Sequence, residues 1–190
     1  MPSFPHFPAP LTGDGVNLRL AAERDIPEIL IAHQDDPELH RRLRMPRPPS
    51  GAELGRRTEI AETERTVGAR LWLTILAPGS DECCGQLDVG HAELHLGRAD
   101  AQVWVVPARR RRGLGSAALA VAGRWLIEAA GLERVALLIE PDNAPMLATA
   151  ASAGFAHEGR LRSHWREAHG RSDADVWSLV RRDLAPAPGS

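Results

Sequence analysis

Arg110-Arg111-Arg112-Gly113-Leu114-Gly115-Ser116 is the stretch on which the reading of this chain turns. An apolar, strand-like run, Val103-Trp104-Val105-Val106, comes immediately before it. A stretch with helical apolar spacing, Ala117 to Ala130, follows it, with Leu119, Ala122 and Leu126 on one face. A glycine-rich turn between a strand and a helix N-terminus is a device for holding phosphate. The glycines let backbone approach ligand closely, the first N–H groups of the helix have no partner in the helix itself, and the helix dipole favours an anion there.

Outward from that turn, the pattern is one of short strands and helices. Val16 to Leu20 alternates apolar and polar, as a half-buried strand does. Asp25-Ile26-Pro27-Glu28 has capping-box spacing and predicts a helix toward Ala32, and Asp36-Pro37-Glu38 predicts a second, short one. Arg44 to Pro49 is a proline-rich loop; Ser50 and Glu53 repeat the capping-box spacing ahead of a polar helix to about Thr66. Leu71 to Leu76 and Cys84 to Val89 flank the turn Pro78-Gly79-Ser80-Asp81 and predict a hairpin, with Ala101 to Val106 as the next strand. Gly131 ends the long helix as a C-cap. Val135 to Ile139 is continuously apolar, as a strand buried on both faces is. A helix from Asn143 closes at Gly154, and Phe155 to Leu161 and Asp175 to Val180 are the last strands. The expectation is a single domain over 16–184, an irregular leader over 1–15 and a disordered tail over 185–190.

The 190 residues suffice for one domain with a proper core, and an apolar fraction of 43% is ordinary for a soluble protein. The net charge of −2 argues against a general nucleic-acid binder, although Arg109 to Arg112 concentrate positive charge locally. No apolar run of about 18 residues predicts a membrane span, and Met1 to Pro10 lacks the pattern of a signal peptide. Cys83 and Cys84 are neighbours, so they suit neither a structural bridge nor a closed zinc site; read as reduced strand residues they fit the cytoplasm. Tyrosine and lysine are both absent.

Which phosphate the turn holds can be narrowed. A P-loop requires lysine before its Ser or Thr, and Gly115-Ser116 has none. A dinucleotide fingerprint belongs to the first strand–helix unit of its fold and is followed by an acid about 20 residues on. Here the turn lies mid-chain behind hairpins, and Glu140 comes late.

Arg110-x-x-Gly113-x-Gly115 resembles the Arg/Gln-x-x-Gly-x-Gly/Ala signature of the GCN5-related N-acetyltransferase (GNAT) superfamily. Asn143 to Phe155, closing in Gly154-Phe155, is similar to that family's asparagine helix. Leu18-Arg19-Leu20 with Asp25, Glu158-Gly159 with Leu161-Arg162, and Asp175 to Leu179 resemble the branch that acetylates ribosomal-protein N-termini. The resemblance covers roughly Val16 to Leu184. It implies an α/β (α+β) fold with a mixed, mostly antiparallel sheet, splayed at a cofactor gap and flanked by helices. It also implies acetyl-CoA as acyl donor, with its pyrophosphate on the backbone of Arg110, Arg111, Arg112, Gly113, Leu114, Gly115 and Ser116. Its pantetheine would lie between the Val103–Val106 and Val135–Ile139 strands, near Asn143. A backbone N–H at Val105 or Val106 would polarise the thioester carbonyl. The acceptor would be a primary amine: a protein N-terminus, an aminoglycoside or another small amine. Dimerisation is common among relatives, which leaves a homodimer open.

No metal is called for, and the eight histidines show no ligand spacing. The amine must be neutral to attack, so a carboxylate base is sought. Asp100, Glu140, Glu93 and Asp88 are the candidates, with Asp100 and Glu140 placed first and His91 and His95 behind them. Many relatives carry a tyrosine acid in the asparagine helix, where Ala150 stands here; others carry a serine three residues after the asparagine, where Met146 stands. Those departures keep open a domain that binds acyl-CoA without turnover, and the arginine run separately leaves an RNA-associated protein as a third reading.

Overall fold

In the computed structural model, which describes residues 3–167 and 170–184, eight strands form one sheet in the order β1-β2-β3-β4-β5-β6-β8-β7. The strands are β1 (Leu11–Gly13), β2 (Val16–Leu20), β3 (Leu71–Leu76), β4 (Gly85–Glu93), β5 (Arg98–Val105), β6 (Arg134–Ile139), β7 (Ala156–Glu167) and β8 (Gly170–Val180). The helices are α1 (Ile26–Asp35), α2 (Leu39–Arg42), α3 (Gly51–Thr66), α4 (Leu114–Glu128) and α5 (Ala144–Ser152). Every neighbouring pair of strands is antiparallel except β5 and β6. The expected tail over 185–190 lies outside the described residues.

Period-two patterning divides the sheet into two faces. Leu73, Ile75, Leu87, Val89, Val103, Val135 and Leu137 join α4 through Leu119, Ala122, Leu126 and Ile127 in the main core. On the opposite face, Ile29 of α1 and Leu54 of α3 form a smaller cluster with Cys83. That second face carries the polar strand residues Gln86, Asp88, Asp100 and Gln102, so the helices over it cover chemistry as well as apolar surface.

Three local expectations change. The leader is irregular over most of its length but is docked rather than loose. Phe4 and Phe7 are each 2% exposed, Phe7 meets Trp125 edge-on at 4.9 Å, and Leu11–Gly13 adds a strand to the sheet. Asp25 makes no side-chain cap at α1. Its carboxylate instead accepts from Arg19 Nη1 (2.9 Å), Thr74 Oγ1 (2.6 Å) and the Ala22 N–H (3.0 Å), so a buried guanidinium takes the group that local spacing assigned to a cap. The last hairpin is longer than its apolar residues indicate, because β7 is exposed along most of its length and carries little apolar pattern. By contrast, the Ser50–Glu53 box forms as expected: the Glu53 N–H reaches Ser50 Oγ at 3.3 Å and the Ser50 N–H reaches Glu53 Oε2 at 2.8 Å. Gly131 and Gly154 end their helices at φ +74° and +85°.

Candidate functional site

The parallel pairing of β5 with β6 begins at Arg98↔Arg134 and stops at Asp100↔Ala136. Beyond it β5 stays with β4 as far as Val105↔Gly85, while β6 stays with β8 as far as Ile139↔Asp175. The sheet therefore opens into a gap, the floor of a cleft of about 1260 Å³ that runs to the turn before α4.

Strand alternation fixes which backbone groups face the gap. The Val106 N–H donates to the Cys84 carbonyl at 2.9 Å, and the Trp104 carbonyl lies against Gly85, so even-numbered residues pair toward β4. Ala101, Val103 and Val105 consequently direct their N–H and C=O groups toward the gap. The Val105 carbonyl accepts from Arg110 Nε at 2.9 Å. Of the two amides expected to polarise a carbonyl, the Val105 N–H faces the gap and the Val106 N–H does not, since it donates to the Cys84 carbonyl. Val103 has the same orientation, which the sequence does not show, because alternation has no phase until one hydrogen bond of the ladder is known.

The turn reaches helical geometry early: α4 starts at Leu114 rather than Ala117. Arg111 at φ +57° and Gly113 at φ +78° both have left-handed backbone, and Gly113 is the N-cap. The Ala117 N–H is bonded to the Gly113 carbonyl at 2.9 Å, which leaves the Leu114, Gly115 and Ser116 amides as the unpaired first turn. A Cβ at Gly113 would meet nothing within 4 Å, so the surface beside these amides is open. At Gly115 a Cβ would lie 3.4 Å from Thr149 Cγ2 and 3.6 Å from Val105 Cγ2; this glycine brings α4 close to α5 and β5. Ser116 Oγ donates to the Gly113 carbonyl at 2.9 Å.

The four arginines have separate roles. Arg109 pairs with Glu82 at 3.1 Å, and Arg110 Nη2 pairs with Asp36 at 2.5 Å while its Nε holds Val105. Arg110 thus ties the turn to β5 and to the segment after α1. Arg111 and Arg112 are exposed. Asn143 caps α5 by accepting from the Met146 N–H at 3.3 Å, and its side chain lines the cleft.

Asp100 lies at the last position of β5 that pairs with β6, half-exposed, with His91 Nδ1 at 3.2 Å from its Oδ2. Glu140, at the end of β6, is 8% exposed and contacts Arg41 Nη1 (2.9 Å), Arg42 Nη1 (3.2 Å) and Arg44 Nη2 (2.7 Å). Arg44 also reaches Glu167 at 2.5 Å and lies 3.7 Å from the Trp165 ring centroid. With three guanidiniums around it, Glu140 is placed to join the α2 segment to the β6–β7 side of the cleft. Asp88, on β4, lines the cleft and is more enclosed than Asp100, its side chain 15% exposed against 41%. Burial pushes its pKa up to about 6, against the opposing pull of Arg70 and Arg57. Glu93 pairs with Arg98 outside the cleft.

Pro145, Ala148, Thr149 and Ser152 are the cleft-facing residues of α5 beyond Met146, whereas Ala150 is wholly buried in the core. Thr149 Oγ1 donates to the Pro145 carbonyl at 2.9 Å. Cys83 and Cys84 are free and buried at the entrance to β4, and burial pushes the Cys83 thiol up to about 12. Among the described residues no helix is long and apolar enough to cross a membrane, and no group of three or more His, Cys, Asp or Glu is arranged to hold a metal ion.

Comparison with known proteins places this architecture. Residues 16–156 match the model of the acetyltransferase (GNAT) domain. Mycothiol acetyltransferase of Clavibacter michiganensis subsp. michiganensis (strain NCPPB 382) is 44% identical over 86 residues, which are 44% of this chain but only 26% of that protein. Mycobacterium smegmatis RimJ, solved with CoA-disulfide, superposes with a TM-score of 0.74 at 24% identity, covering 94% of this chain and 88% of that one. A putative ribosomal-protein-serine acetyltransferase from Vibrio cholerae gives 0.73 at 17% identity over 90% and 97% of the two chains. The microcin C7 self-immunity acetyltransferase MccE, solved with acetyl-CoA and AMP, gives 0.76 at 18% over 90% and 94%. At these identities the solved structures establish the shared fold; the domain match, running from β2 through the splayed strands, the glycine turn and α5 to the start of β7, establishes that this chain belongs to the GNAT acetyltransferase family.

Proposed function

We propose that the protein transfers an acetyl group from acetyl-CoA to a primary amine by direct attack on the thioester. The observation that carries this reading is the continuity of the gap beyond Asp100↔Ala136 with the unpaired amides of Leu114, Gly115 and Ser116. An elongated ligand with a strand-like amide arm and a pyrophosphate at one end fits that shape. Its amides would pair with Ala101–Val105, its phosphates would meet the first turn of α4 and the charge of Arg111 and Arg112, and Asn143 would stand beside the arm. The Val103 or Val105 N–H would stabilise the carbonyl oxygen as negative charge develops on it. Glu140, with its three arginines, would hold the acceptor end of the cleft in shape rather than move protons. The acceptor classes remain a peptide α-amine, an aminoglycoside and other small amines.

A second reading, an acyl-CoA-binding module without turnover, is favoured by one feature: α5 offers the cleft no tyrosine, and its Thr149 hydroxyl is directed to Pro145. Thiol release from acetyl-CoA, followed across a panel of peptide, aminoglycoside and small amines, separates the two. Amine-dependent release supports the transferase. Tight CoA binding with no release on any amine supports the module.

A further inference from the structure

Gly90 and Arg70 form an arrangement that the family match does not assign. A Cβ on Gly90 would lie 3.1 Å from Arg70 Nε and 3.2 Å from Arg70 Nη2, so the guanidinium lies across β4 where a side chain is missing. In that place Arg70 Nε is 2.9 Å from Asp88 Oδ1 and the guanidinium carbon is 4.5 Å from the Trp72 ring centroid. Oδ1 is buried and faces the Arg70 Nε–H at 2.9 Å, close enough for the guanidinium to stabilise the carboxylate but without the alignment of a full hydrogen bond. Asp88 is opposite Gln102 in the β4–β5 ladder, one residue from the gap-facing amide of Val103, and both Asp88 and Gln102 line the cleft.

We propose that Asp88 accepts the proton of the attacking amine, and that Arg70, seated over Gly90, is the positioning residue that holds it as a carboxylate. This rests on the acetyl-transfer reading. The ammonium gives one proton to Asp88; the freed lone pair forms the C–N bond at the thioester carbon. The C–S bond then breaks with its electron pair on sulfur, and the amine's second proton neutralises the thiolate. Asp88 releases its proton to solvent, toward which Asp100 and the exposed His91 face.

The charged groups around Asp88 set the direction of the test. Burial, above all, and more weakly Glu64 of α3 raise its pKa, Arg70 and Arg57 lower it, and Asp100 with His91 stands across the strand pair. Proton acceptance requires the carboxylate, so kcat/KM rises with pH through about 6. Asp88→Asn removes that limb and lowers kcat/KM near neutral pH by about a hundredfold. Arg70→Gln moves the limb to higher pH by about one unit or more, and Gly90→Ala, which crowds the guanidinium and makes it shift slightly, moves it the same way by a smaller amount. Carbon-13 NMR of the Asp88 carboxyl in the protein without ligand reads the same titration independently of turnover.

A midpoint near 6 that rises in Arg70→Gln, together with loss of the limb in Asp88→Asn, is the expected result. An enzyme that acetylates amines with an unchanged pH profile in Asp88→Asn overturns the role of Asp88 while leaving acetyl transfer intact. A wild-type protein that binds CoA and acetylates no amine overturns both.

Discussion

Replacing Gly113 by glutamate and, separately, by glutamine isolates the charge on which the phosphate site depends. Both side chains must adopt φ +78°, which costs an L-residue about 1–2 kcal/mol. Domains of this kind are stable by about 5–15 kcal/mol, and a Cβ here meets nothing within 4 Å, so both variants fold. Each loses about 2–8 °C in Tm, and by the same amount. The two differ in one carboxylate beside the Leu114–Ser116 amides. At about 4 Å from a phosphate, that charge costs about 1 kcal/mol if water screens it fully and about 4 kcal/mol at the effective dielectric of a protein surface. Gly113→Glu should therefore bind CoA about fivefold to a thousandfold more weakly than Gly113→Gln. The gap should narrow as salt is added. Titration calorimetry at two ionic strengths, with matched melting curves, measures it. Equal affinities for the two variants would refute a phosphate at this turn.

Other predictions concern the frame and the cleft rim. Asp25→Ala leaves Arg19, itself 9% exposed, without its bidentate partner and should cost about 3–5 kcal/mol in denaturant unfolding. Burial pushes the Asp25 carboxyl up, but Arg19, Thr74 and the Ala22 N–H pull it further down, to a net value below normal. Its stabilisation is thus complete above the unfolded value of about 3.9 and is lost as pH falls below it; Asp25→Ala should flatten that part of the stability–pH curve. Phe7→Ala opens a cavity beside Trp125 and should cost about 3–5 kcal/mol; an unchanged Tm would mean the leader is not part of the core. Glu140→Gln should lower stability by about 1.5–3 kcal/mol and raise the acceptor KM while keeping the shape of the pH–rate profile; loss of the acid limb would make Glu140 the base instead.

The features legible in the sequence are those whose physics is local. The glycine turn, the Ser50–Glu53 box, the Gly131 cap and the buried strand over 135–139 each depend on a few adjacent residues, and each stands where it was read. Asp25 shows the limit of that logic. Its spacing satisfies a cap, but Arg19 and Thr74 compete for the same oxygens from other strands, and a buried guanidinium needs them more. The end of the β5–β6 pairing has no local signature, since the residues on either side of Asp100 are equally strand-like. The Glu140 cluster joins residues far apart in sequence: Arg44 and Glu140 are separated by 96 positions, Arg44 and Glu167 by 123. Asp88 could be named as a carboxylate in a strand. What distinguishes it, enclosure beneath α3 and a guanidinium seated over a glycine two residues on, exists only once the sheet is assembled.

The central claim is that one continuous cleft, from the gap between β5 and β6 to the first turn of α4, holds the acyl donor. A structure of the protein with acetyl-CoA tests it most directly. The account predicts pyrophosphate oxygens about 3 Å from the amides of Leu114, Gly115 and Ser116, the arm paired with Ala101–Val105, and the thioester carbonyl on the Val103 or Val105 N–H. Acetyl-CoA bound elsewhere on the surface, with β5 and β6 zipped together beyond Asp100, would contradict it.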